Sequence, residues 1–142
     1  MQSSRTLSGL VIAILVVLTA QGWTGDFVNL FAVFPNGPVS HTLSGFTQAL
    51  VKAGRMEVFH AIVGTILAAI AITILFIVFR FNVGRGARIC AILGFLAIIS
   101  AAYGGISFVL SGFQNDGSSA QMGGSYIGSF ASYFLVLYFN KR

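Results

Sequence analysis

Residues 58–79 read VFHAIVGTILAAIAITILFIVF, a stretch whose only polar side chains are His60, Thr65 and Thr73. A helix rises about 1.5 Å per residue, so crossing a hydrocarbon core of about 30 Å takes roughly 20 residues. This stretch is long enough to span. Lipid offers no hydrogen bonds to a bare backbone, so a spanning segment of this kind is a helix. Three further stretches have the same character: residues 7–24, residues 89–110 and, richer in Gly and Ser, residues 122–139. The expected fold is all-α, an integral membrane four-helix bundle forming a single transmembrane domain over residues 1–142.

Composition points the same way. Of 142 residues, 56% are hydrophobic and 8% charged, against roughly 25% charged in a soluble domain. So few charges cannot cover a water-facing surface, which argues against a soluble enzyme or a disordered tail. The net charge is +5, but eight Lys/Arg are too few and too scattered to track phosphates, so nucleic acid is not an expected partner. A single cysteine, Cys90, excludes an internal disulfide and a multi-cysteine metal site. Arg5, an apolar run and Leu18-Thr19-Ala20 have the outline of a signal peptide; the segment is read as a retained first span.

Charge orients the bundle. Arg5, Arg80, Arg85, Arg88, Lys141 and Arg142 flank the spans on one side, with no acid among them. Asp26, Lys52, Arg55, Glu57 and Asp116 lie on the other. By the positive-inside rule both termini are cytoplasmic, in a multi-pass protein of the cell membrane.

The loops are unequal. The cytoplasmic turn around Asn82 to Arg88 and the outer link Phe113 to Gln121 are short, whereas the outer segment from Gly25 to Met56 is long enough to suggest function. Phe27-Val28-Asn29-Leu30-Phe31 is apolar enough to lie on the membrane or cap the bundle, and Pro35-Asn36-Gly37-Pro38 is a turn signal. Ser40 is then placed to N-cap a short interfacial helix carrying Leu43, Phe46 and Leu50 on one face. Rows of small residues, Ala61/Thr65/Ala69, Ala97/Ala101/Gly105 and Gly124/Gly128/Ser132, allow close helix approach. They fit packing within the chain or against neighbours, including a second copy in a homo-oligomer.

Little polar chemistry is available. Glu57 and His60 stand three apart, on one helix face at the outer mouth of the second span. An ionisable group at the membrane edge of an apolar helix is a functional hypothesis by default. A neutral imidazole can ligate haem iron, and a nearby carboxylate can orient it or act on a substrate. The competing reading makes His60 an interface residue hydrogen-bonded to the outer segment.

Gln21-Gly22-Trp23-Thr24-Gly25 at the end of the first span, the long outer loop with its short helix, and Glu57-Val58-Phe59-His60 opening the second span together resemble the haem A synthase family. That family has a Glu-x-x-His-Arg motif at this place, and its smallest members are four-helix bundles. The resemblance implies His60 as a haem-iron ligand, Glu57 as the catalytic or proton-handling carboxylate, a haem of b or related type, oxidoreductase chemistry and partners in oxidase assembly. Ala61 stands where the family has Arg, the outer loop has no cysteine pair, and the fourth span lacks the family's second His. Met122 occupies roughly that position, giving either a His60/Met122 axial pair or plain apolar filler.

The other residues have simpler readings. His41 reads as a solvated loop histidine, Cys90 as structural filler and Trp23 as part of the interfacial aromatic belt. Tyr103-Gly104-Gly105 echoes Gln21-Gly22-Trp23, a faint sign that the two hairpins are repeats. The rival to a haem protein is a non-catalytic subunit of a larger respiratory or other membrane complex; a transporter lacks the broken, charged helices it would need.

Overall fold

The computed structural model describes residues 2–35 and 37–140, with side chains from residue 5 onward; Asn36 of the expected turn and the terminal Lys141 and Arg142 lie outside the described residues. The chain is all-helical, with α1 Gln2–Phe31, α2 Leu43–Ala53, α3 Arg55–Arg80, α4 Arg85–Leu110 and α5 Asp116–Asn140. Segments of α1, α3 and α4 (Arg5–Phe31, Arg55–Arg80 and Arg85–Leu110) are long and apolar enough to cross a membrane. α5 is 25 residues long, but Gly and Ser dilute its first half.

The four long helices run up and down in a closed ring. α1 packs on α3, α3 on α4, α4 on α5 and α5 back on α1, so α3 and α5 stand on a diagonal. The ring is closed at one end by Asn140, whose Nδ2 donates to Ser8 Oγ at 3.0 Å. Inward faces follow the helical period: Leu7, Val11, Ile14 and Leu18 on α1, and Leu67, Ala71, Ile74 and Val78 on α3, are all buried. Outward faces are apolar as well. Val16, Ile62, Phe76, Leu96 and Phe134 are each more than half exposed, which leaves these helices without a polar side.

Several boundaries differ from the sequence reading. α1 runs on through Gly25 and Asp26 to Phe31, because nothing breaks it before Pro35, which forces the preceding residue into extended backbone. α5 starts at Asp116, so the link between α4 and α5 is shorter than Phe113 to Gln121. Asn115 Oδ1 accepts the Ser118 N–H at 3.2 Å, a cap that starts the helix early. The short helix is capped by Thr42, not Ser40: Thr42 Oγ1 accepts from Gly45 N at 3.1 Å, while Ser40 Oγ bonds the Thr42 hydroxyl. Leu43 faces outward, while Leu50 is buried and Phe46 packs beside it.

Small-residue rows also behave differently. Thr65 and Ala69 on α3, and Gly124 and Gly128 on α5, are exposed and form no seam between α3 and α5. Close approach occurs instead where a glycine receives a large side chain. A Cβ on Gly94 would lie 2.8 Å from the Tyr133 ring, one on Gly22 2.7 Å from Tyr126, and one on Gly86 2.9 Å from Phe139. These knob-into-hole contacts stand beside a small-on-small one, where a Cβ on Gly128 would be 3.9 Å from Ala97 Cβ.

At the α1 C-terminal end, the segment after α1 folds over the bundle. Phe34 stacks on Phe113 at 4.7 Å, and Phe108 meets both rings edge-on. Gly112 takes φ 69° against the Gly37 carbonyl, where a Cβ would be 2.8 Å from the oxygen. Only glycine fits there.

Candidate functional site

His60 sits in the second turn of α3, on the face turned toward α1. Its ring is half-buried and held at both nitrogens: Thr24 Oγ1 lies 3.0 Å from Nδ1 and Gln21 Nε2 lies 2.9 Å from Nε2. Gly25 makes room for it, since a Cβ there would stand 3.1 Å from His60 Cε1. Gln21, Thr24 and Gly25 share one face of α1 at three- and four-residue spacing, which is why one turn of helix can grip the imidazole from two sides.

The network assigns the tautomer. Thr24 Oγ1 donates its proton to the Gln21 carbonyl at 3.1 Å, leaving its oxygen free to accept from His60 Nδ1–H. Nε2 then carries the lone pair and accepts from the Gln21 amide. Gln21 Oε1 is left buried without a partner. An orphaned buried carbonyl costs about 1–3 kcal/mol, so the Gln21 carboxamide is the less comfortable of the two clamps.

Glu57 lies one turn earlier on α3. Its side chain is 7% exposed, and Oε2 is buried with no hydrogen-bond partner. The structure therefore brings Glu57 near His60 in sequence and depth, but the partners of His60 come from α1. Beside this carboxyl on the same helix, Val58 and Ala61 join the apolar cluster under the Phe34–Phe108–Phe113 cap.

Met122 occupies the corresponding early turn of α5 and is turned toward α4. A Cβ on Gly104 would be 3.1 Å from its Cγ and one on Gly105 3.4 Å from its Sδ. The two hairpins thus share a device, a first-helix glycine receiving an early side chain of the second helix. His60 is received by α1 and Met122 by α4.

These placements test the fit of haem. Axial ligation asks for a neutral imidazole with one N–H held and the other nitrogen's lone pair available. Thr24 meets the first condition at Nδ1, while the Gln21 amide occupies the second nitrogen. Met122 packs on the α4 glycines Gly104 and Gly105.

The remaining candidates are peripheral. His41 and Asp26 are exposed, Trp23 is 78% exposed and Cys90 is buried. Among the described residues no three His, Cys, Asp or Glu side chains converge. Gln21 and Thr24, which the sequence offers only within the stretch 21–25, hold the His60 ring. Their signal was available: two amide- or hydroxyl-bearing residues, three apart, at the depth of His60. A second polar knot, Gln121 and Ser125 on Ser100, ties α5 to α4 in the same region. Comparison with protein-family models, curated proteins and solved structures finds no match to this chain.

Proposed function

We propose that this chain is a multi-pass protein of the cell membrane, a four-helix bundle with both termini cytoplasmic, that binds haem through His60 near the outer face. The observation that carries the reading is the imidazole itself. Its Nδ1–H is held by Thr24, and its Nε2 lone pair is covered only by the Gln21 carboxamide. A haem bound there supplies one-electron or oxygen chemistry. His60 orients through Thr24, and Glu57 offers a buried carboxyl able to hold a proton at Oε2 within a turn of the ligand.

The test is an absorption spectrum of the purified protein, before and after reconstitution with haem b. The parent should show a Soret band and His60→Ala should lose it. Gln21→Ala should retain haem, because it removes the group competing for Nε2. Glu57→Gln should keep the haem and shift its reduction potential or abolish turnover. A colourless parent, or equal binding by His60→Ala, overturns the haem reading.

A second reading has its own observation. Gly123 and Gly124 face open space, with nothing within 4 Å of a Cβ, and Gly128 and Ala131 are exposed beside them. An outward row of small residues suits packing against a neighbouring helix, as in a non-catalytic subunit of a larger membrane complex. Co-purification of a colourless protein with stoichiometric partners would select it.

A further inference from the structure

The end of the bundle opposite His60 holds a group of arginines that neither the fold nor the haem reading uses. Arg80 closes α3, while Arg85 and Arg88 lie one turn apart at the start of α4. The acids Asp26, Glu57 and Asp116 all sit at the other end, about 39 Å away for a 26-residue helix. Among the described residues, no Asp or Glu side chain stands at the arginine end.

The guanidinium groups are nevertheless positioned. Arg88 Nε donates to the Val78 carbonyl at 3.2 Å, one of the carbonyls that the end of α3 leaves free. Its guanidinium lies 5.8 Å from the centroid of Phe79, and that of Arg80 lies 5.9 Å from Phe81. Arg88 is thus anchored by one nitrogen, and its planar guanidinium offers the fork that matches a phosphate. Phe79 and Phe81 are 59% and 43% exposed, so apolar rings border the charges. First-turn N–H groups of α4, with no side-chain cap, add donors at the same corner.

We infer that the Arg80/Arg85/Arg88 corner is a binding site for an anionic phospholipid, its phosphate taken by the arginines and its chains lying along Phe79 and Phe81. Charge complementarity selects the headgroup, and the adjoining rings select a lipid over a free phosphate. The inference rests on the membrane reading alone and is independent of haem.

The test places the full chain in nanodiscs of phosphatidylcholine with equimolar phosphatidylglycerol and reads retained lipid by native mass spectrometry. Phosphatidylglycerol should be enriched over its bulk share. Each arginine near a membrane surface is worth about 1 kcal/mol, so each arginine removed should cut enrichment by about fivefold. Arg85→Gln and Arg80→Gln make no hydrogen bond that the fold needs and read the lipid effect directly; Arg88→Gln also removes the Val78 anchor and should lose most. Lys52→Gln at the opposite end should change nothing. Enrichment unaffected by the three arginine variants, or abolished by inorganic phosphate alone, overturns the site. A chain that fails to enter nanodiscs overturns the membrane reading with it.

Discussion

Gly94 shows at residue scale how this bundle is held together. Tyr133 is fully buried against it, and a Cβ there would come within 2.8 Å of the ring. A buried ring has nowhere to retreat, so Gly94→Ala should overpack the core and destabilise by about 1–3 kcal/mol. Gly123→Ala is the matched control: it meets nothing within 4 Å and removes a poor helix former, so it should be neutral or stabilise by up to about 1 kcal/mol. Thermal unfolding in one detergent distinguishes them, and equal shifts would show that the Gly94–Tyr133 contact is not tight. Thr65 and Thr73 illustrate the opposite face. Their hydroxyls return to the carbonyls of Ala61 and Ala69 at 3.0 and 2.9 Å, satisfying outward-facing donors without a partner helix.

At the scale of an element, α2 is the least secured helix. It has 11 residues, short of the length at which an isolated helix is stable, and its buried face amounts to Ala49 and Leu50. It joins α3 through Gly54 alone, at φ 120°, a conformation natural only to glycine. Capping therefore matters more here than in the long helices. Thr42→Ala should cost about 0.5–2 kcal/mol of local stability, seen as faster amide exchange confined to residues 43–53. Ser40→Ala should cost far less, since that hydroxyl bonds only the cap's own side chain. Equal effects would return the cap to Ser40.

For the whole molecule, the separation of charge defines the orientation within the membrane reading. Arg5, Arg80, Arg85 and Arg88 mark one end; Asp26, Glu57 and Asp116 mark the other. In a Cys90→Ala background, a cysteine at exposed Ser40 should react with an impermeant maleimide on intact cells. One at exposed Asn82 should react only after permeabilisation. The reverse pattern would invert the topology and move the His60 site to the cytoplasmic face.

The helical class and the three apolar helices α1, α3 and α4 were legible in the chain because continuous apolarity over about 20 residues is a one-dimensional property. The same holds for the charge asymmetry, and for His60 and Glu57 as polar groups out of place in an apolar helix. Helix ends were less legible: Asn115 and Thr42 compete with equally plausible caps nearby, and only backbone geometry chooses between them. Which faces meet depended on tertiary structure entirely. A row such as Ala61/Thr65/Ala69 satisfies the spacing rule for close packing, but spacing cannot say whether a partner stands opposite, and the ring order places α3 and α5 on a diagonal. For the same reason spacing along the chain does not reveal that the fold seats His60 between Gln21 and Thr24 and turns Met122 onto Gly104 and Gly105. Apolar periodicity specifies that a helix buries a face. The neighbour it buries that face against is decided by the shapes of side chains distant in sequence, here glycines that admit an imidazole, a thioether or a phenol.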